Sequence, residues 1–220
     1  MTTFPGSPKL IKGAIIGVDK FNPLASVIVF QFNPDSLTRR LAPRVASSSG
    51  TGQQGDRGEV YRLKGPPEET ISLKIEIDAT DDDGSINPLS YTSGIAPTLS
   101  ALEMLFYPKS AVVFSNDALA NAGMLEIIPP EAPLTLFVWG PQRVLPVRVT
   151  SLNITEQAFD NLLNPIRAEV DISMTVLSYY DLKIDNPGYP LFMVHQVIKE
   201  IQATSNVLNS VQNVGSGLKF

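Results

Sequence analysis

The stretch Thr70-Ile71-Ser72-Leu73-Lys74-Ile75-Glu76-Ile77-Asp78-Ala79 places an aliphatic side chain at every odd position and a polar one at every even position. Ile166-Arg167-Ala168-Glu169-Val170-Asp171-Ile172-Ser173-Met174-Thr175-Val176 repeats the pattern with the parity reversed. Side chains on a strand point to opposite faces in turn, so each run predicts a long strand with one buried and one charged face. The body is therefore a β-sheet or barrel. Its second face, Lys74, Glu76 and Asp78 with Arg167, Glu169 and Asp171, is too charged for the middle of a sandwich and too regular for a random edge, and so invites a partner.

Outward from these strands, Ala14–Val18 and Ala25–Phe32 are β-rich runs separated by the turn pair Asn22-Pro23, an opening hairpin. From Asp35 to Lys64 regular patterning fails, with Ser47–Ser49 and four glycines in the middle. Structureless connections of about 30 residues are uncommon inside compact domains and tend to be functional or ordered by a partner. Leu99, Leu102, Leu105 and Phe106 share a helical face, Ser100 and Glu103 have capping-box spacing and Pro108 stops the segment, which predicts one short inserted helix. Residues 109–132 are mixed. Leu134–Trp139 and Val144–Ile154 are further strands; the alternation of the latter changes phase between Val149 and Leu152, as a bulge would cause. Leu191, Val194, Ile198, Ile201, Leu208 and Val211 then give an amphipathic helix from about Pro190, fraying before Gly215. The expected organisation is a β domain over 1–185, with 35–64 as an extended loop, and a helical arm over 186–220.

Composition narrows the chemistry. A 220-residue chain with 43% hydrophobic and 18% charged residues can bury a real core, which excludes wholesale disorder. Its net charge of −5 argues against nucleic-acid binding, which needs a basic surface to displace phosphate counterions. The absence of cysteine removes disulfides, thiolate catalysis and Cys-type zinc sites together. No stretch approaches the apolar run of about 18 residues that suggests a spanning helix, so no membrane insertion is expected. Pro5, Gly6 and Pro8 stand where a signal peptide would have its apolar core, so a cytoplasmic protein is expected.

The motifs that resemble sites are weak. Gly50-Thr51-Gly52-Gln53-Gln54-Gly55 spells the dinucleotide pattern, but without a preceding strand or a following helix it reads as a flexible loop. Asp81, Asp83 and Gly84 resemble the middle of a calcium loop whose first position would be Ala79 and twelfth Ser90, so a solvated acidic turn is the better reading. His195 is the only histidine, so one chain can build no His-based triad or multi-His metal site, and it reads as an ordinary helix residue. Glu169 and Asp171 share a strand face with Arg167, which favours an ion-paired surface over an acid/base pair. No catalytic, metal or cofactor residue is assigned. Arg39, Arg40, Arg44, Arg57, Arg62 and Lys64 form the one basic zone, suited to an acidic neighbour. Together with Leu191, Val194, Ile198 and Ile201 on the arm, these are the expected partner-interface residues.

Four segments in order, Phe30-Gln31-Phe32-Asn33-Pro34-Asp35-Ser36-Leu37, Ile75-Glu76-Ile77-Asp78-Ala79-Thr80, Pro133-Leu134-Thr135-Leu136-Phe137-Val138-Trp139-Gly140 and Asn164-Pro165-Ile166-Arg167-Ala168-Glu169-Val170, resemble the tube-type domain of contractile injection systems. The likeness spans about residues 10–182. It implies a mainly β fold, a phage tail-tube-like β-barrel, assembling as a hexameric ring through its sheet and a long extended loop. It further implies a structural baseplate protein that joins the spike to the inner tube and initiates tube assembly in a phage-tail-like particle. The expected partners are copies of itself, the spike, the inner-tube protein and other baseplate subunits, with no cofactor. Many family members carry a C-terminal LysM module, whereas this chain has the helical arm there. An ordinary inner-tube subunit, a tube terminator and a carboxylate-dependent hydrolase are the alternatives.

Overall fold

The computed structural model describes residues 11–18, 26–44, 63–81, 93–108, 110–121, 123 and 133–217. Seven strands, β1 (Ala14–Val18), β2 (Ser26–Val29), β3 (Leu37–Ala42), β4 (Glu68–Asp78), β5 (Leu134–Val138), β6 (Val144–Phe159) and β7 (Pro165–Val176), form one antiparallel sheet. Their order is β2-β1-β5-β6-β7-β4-β3. The two alternating segments, β4 and β7, are neighbours near the middle, in register from Thr70 opposite Thr175 to Asp78 opposite Arg167. All their aliphatic side chains therefore share one face. The phase change in β6 is a register shift between Val149 and Ser151, where one extra residue is taken up against β7.

The sheet is curled. A flat one would hold β2 and β4 about 24 Å apart, five strand spacings of about 4.8 Å. Yet Gln31, two residues past β2, bonds through its side-chain amide to the backbone of Asp78, donating to Asp78 O at 2.7 Å and accepting from Asp78 N–H at 2.8 Å. Asn33 does the same for the other neighbour, accepting from Gly13 N–H at 2.9 Å and donating to Ile11 O at 3.0 Å. Each amide stands in for a peptide group beyond the end of β2, Gln31 toward β4 and Asn33 toward the segment that leads into β1. The Phe-Gln-Phe-Asn run is thus a seam: Phe30 turns inward against Trp139, and Gln31 and Asn33 stitch the backbones on either side.

The core gathers Ile15, Ile28, Phe30, Ile71, Leu73, Ile75, Ile77, Phe137, Leu145, Val147 and the inward residues of β7. Helix α1 (Ala96–Glu103) covers it with Leu99 and Leu102, joined by Ile95 and Leu105. Gly94 fastens the start of this helix to β7. Its φ is +58°, and a Cβ there would lie 2.1 Å from Pro165 O, which accepts the Ile95 N–H at 2.9 Å.

Three expectations are corrected. The inserted helix begins at Ala96 with Pro97 in its first turn and no side-chain cap, so Ser100 and Glu103 lie inside it and form no capping box. A second inserted helix, α2 (Ser110–Asn121), occupies part of the mixed region; it buries nothing, which is why no apolar stripe marks it. The segment 35–64 contains β3, whose Thr-Arg-Arg-Leu alternation is blurred because one inward position carries Arg39. Helix α3 (Gly188–Gly217) completes the fold.

Candidate subunit-interaction site

The polar face of β4 and β7 is built by register. Lys74 stands opposite Asp171, Glu76 opposite Glu169 and Asp78 opposite Arg167. Like charges directly opposite are unfavourable, and here the cations relieve them diagonally. Lys74 pairs with Glu169 at 2.5 Å, while Arg167 lies 3.6 Å from Asp78 and 3.9 Å from Glu76. The Lys74 hydrogen bond holds the Glu169 carboxyl below its ordinary value, and that bond in turn raises Lys74. Higher on the same face the Ser72 and Ser173 hydroxyls meet at 3.0 Å. All six residues of the expected polar strand face are brought together.

Two edges of this half of the sheet are open among the described residues. Strand β3 pairs only with β4, and β6, 16 residues long, pairs with β5 only over Val144–Val147. From Arg148 to Phe159 its ladder runs on one side alone, to β7. Along β6-β7-β4-β3 the strands alternate in direction, so the free edges of β6 and β3 run opposite ways.

The basic zone divides. Arg39 lies on the inward face of β3 and binds Glu69 of its own chain, Nε donating to Oε1 at 2.7 Å. Arg44 binds Asp181 at 3.0 Å and lies over the Tyr180 ring. Both are committed internally. Arg40 and Lys64 are exposed, and Arg57 and Arg62 fall outside the described residues. Lys64 N–H donates to Arg44 O at 2.9 Å, so the chain leaves the sheet at Arg44 and returns beside it. Of the expected extended loop, residues 37–42 are strand β3, and residues 45–62 fall outside the described residues. The glycine-rich Gly50–Gly55 run and Asp82–Gly84 also fall outside the described residues.

Helix α3 grips the body along one face through Phe192, His195, Lys199 and Gln202. Phe192 enters the core and meets Tyr179 edge-on at 6.0 Å. His195, only 6% exposed, approaches Gln142 O at 3.3 Å through Nδ1; a carbonyl only accepts, so Nδ1 carries the proton and the buried Nε2 has no hydrogen-bond partner among the described residues. Lys199 Nζ donates to Glu69 Oε2 at 3.2 Å, and Gln202 to Gln142 Oε1 at 2.9 Å. Glu69, 4% exposed, is the hub of this contact. Burial would raise its carboxyl, but the Arg39 hydrogen bond and the charge of Lys199 outweigh that and hold it below 4.5. Burial, then Lys199, pushes His195 below 6.5. Arg143 lies nearby, its charge disfavoured first by burial and then by Arg39.

His195 is thus a packed anchor of the arm. Of the stripe expected to dock, Val194 and Ile201 are exposed and Leu191 and Ile198 half-buried. Glu69, Gln142 and Arg143 are the residues that pattern reading missed. Glu69 did carry a signal: a charge on the aliphatic parity of its strand must find a buried partner.

Comparison with curated proteins finds no match. A family model, contractile injection system tube protein, matches residues 10–183 and so covers the whole sheet while ending before α3. Strands, seam and polar face all lie within the matched span, and the chain belongs to the contractile injection system tube protein family.

Proposed function

We propose that copies of this chain close into a hexameric ring at the baseplate, joining the spike to the inner tube and starting tube assembly. Family membership makes the protein a structural part of a contractile injection system. The observation that carries the finer reading is the pair of open edges on β3 and β6. In antiparallel arrangement, β3 of one copy continues the β6 edge of the next, and a rotation repeating that heterologous contact closes a ring. The polar face of β4 and β7 then lines a continuous channel wall, and the hairpin tip beyond Arg44 and Lys64 reaches the adjacent subunit or ring.

Helix α3 favours an adaptor over an ordinary inner-tube subunit or a terminator, because an endlessly stacked ring has little room for a 30-residue appendage beyond its tube fold. A carboxylate-dependent hydrolase would need one acid with a raised pKa. The opposed pair Glu76 and Glu169 is instead flanked by Lys74 and Arg167, and Glu169 is held low.

The test is mass measurement and negative-stain imaging of the purified protein, alone and with its spike. A sixfold ring that seeds inner-tube polymerisation supports the reading; a persistent monomer, or a ring found only as one of many stacked copies along the tube, overturns it.

A further inference from the structure

Beside the open edge of β6 lies an apolar groove of about 510 Å³, lined by Phe106, Tyr107, Leu152 and Ile154 with Glu103 among them. Leu152 and Ile154 stand opposite Ile172 and Val170 of β7, so they point to the inward, core side of the sheet. The other open edge carries a side chain of the same kind on the same side. On β3, Leu37, Arg39 and Leu41 lie opposite Leu73, Ile71 and Glu69, all on the inward parity. Leu37 packs against the core, whereas Leu41 is 51% exposed.

Charge marks the two edges as complements. Glu156 follows Leu152 and Ile154 on the inward parity of β6, opposite Ala168; it is exposed and has no ion pair among the described residues. On the β3 side one carboxylate, Glu69, serves two cations, Arg39 at 2.6 Å and Lys199 at 3.2 Å. That cluster is left with positive charge in excess.

These residues also select a register. A one-residue slip puts every side chain on the wrong face, so only slips of two are open to β3 against β6. Between its two irregularities β6 runs regularly over 151–156. Setting Leu41 against Leu152 would put Arg39 on Ile154 and Leu37 on Glu156, and setting Leu41 against Glu156 would leave the leucine on a carboxylate. Leu41 opposite Ile154 matches apolar with apolar and, at the same time, Arg39 with Glu156.

Resting on the ring reading above, we infer that β3 of one copy adds to β6 of the next with Leu41 opposite Ile154 and Arg39 opposite Glu156, so that Leu41 seats in the α1–β6 groove. Each subunit presents the leucine at one edge and its socket at the other, and the contact is heterologous, as ring closure requires. On the outward face the same register puts Arg40 beside Thr155, at the end of the row that holds the opposed Glu169 and Glu76.

The cysteine-free sequence makes the test clean, since any disulfide must come from introduced thiols. Facing residues of an antiparallel pair alternate between a wide and a close spacing, so two successive pairs are made: Leu41→Cys with Ile154→Cys, and Arg40→Cys with Thr155→Cys. Each is oxidised in rings purified with the spike and separated without reducing agent. A ladder of linked subunits from at least one double variant, absent from every single variant, is the expected result. Rings that give no ladder in either pair, or a ladder only from Arg40→Cys with Asn153→Cys, two residues out of register, overturn the assignment and leave the ring standing. A linked monomer overturns it as well.

A second measurement decides the matter whether or not the thiol variants assemble. Leu41 is half exposed in the single chain, so Leu41→Asp should leave the melting of the monomer unchanged and abolish rings, while Leu41→Met keeps both. Rings from Leu41→Asp, or a monomer that it unfolds, overturn the socket. Failure of the unsubstituted protein to form rings at all sinks the ring reading, and this inference with it.

Discussion

Gln31 meets Asp78 as one peptide group meets another, its side-chain amide giving one hydrogen bond and taking one from the same residue's backbone across 47 positions of sequence. This pair joins the start of the chain to the far end of β4, where the backbone ladder is absent. It explains why an amide stands between two phenylalanines in the Phe30–Phe32 segment: one neighbour fills the core while the amide closes the seam.

Replacing Gln31 with Leu keeps the volume and strands both backbone groups of Asp78. A buried polar group left without its partner costs about 1–3 kcal/mol. We expect a loss in that range in urea unfolding with an unchanged slope, and faster amide exchange at Asp78. An unaltered midpoint would show the seam to be closed by packing alone.

Gly94→Ala puts a Cβ at a positive φ and 2.1 Å from Pro165 O. The backbone must move, so the Ile95 N–H bond to that oxygen is lost and α1 shifts off the core. A destabilisation of about 2 kcal/mol or more is expected, in the upper part of the range of about 1–3 kcal/mol for strain at one residue. Thermal unfolding checks it, and a melting curve equal to the parent's would contradict the close approach.

The hold on α3 weakens in acid. His195 and Glu69 both titrate lower when folded than when free, so the unfolded or detached state binds more protons. Stability from both is fully present above the ordinary values of 6.5 and 4.5 and is lost as pH falls through the lower folded values. The imidazolium would also lie beside Lys199 and Arg143. Hydrogen exchange over residues 192–202 should therefore accelerate as pH drops below 6.5, after correction for intrinsic rates, before the β4–β7 amides respond. His195→Phe should flatten the first part of that profile. Equal protection of helix and sheet down to global unfolding would refute the ordering.

Deleting residues 46–62 and joining the ends through Asn-Gly should leave the fold intact, because Lys64 N–H already reaches Arg44 O at 2.9 Å. Circular dichroism and melting should match the parent, while incorporation into particles is lost. Removal of all of 35–64 takes β3 with it and should unfold the edge. Normal particles from the short deletion would exclude the hairpin tip from assembly.

Most of the sheet was legible because its strands are two-faced: β4 and β7 alternate without interruption, and even the bulge in β6 shows as a change of phase. What escaped reading lacked a face to read. Helix α2 buries nothing, so burial left no periodic mark on it. Strand β3 is at the sheet edge, and its inward Arg39 is neutralised by Glu69 of the next strand, a compensation visible only once the two are adjacent. The arm was found from its stripe, yet Val194 and Ile201 of that stripe face outward and Leu191 and Ile198 are only half-buried; Phe192 and His195 hold the inward side, since a single buried aromatic and a neutral imidazole anchor a helix without producing a long apolar row.

In the proposed ring, the diagonal pairing on the outer face of β4 and β7 would have a consequence for transport. Lys74 and Arg167 offset only part of the charge of Glu76, Asp78, Glu169 and Asp171, and Ser72 and Ser173 share a hydrogen bond. The surplus carboxylates would repel acidic cargo, and their hydrated tips would exclude greasy contact as well. A conduit walled this way would be lubricated for such cargo, which is guided by its bore and slides without being gripped.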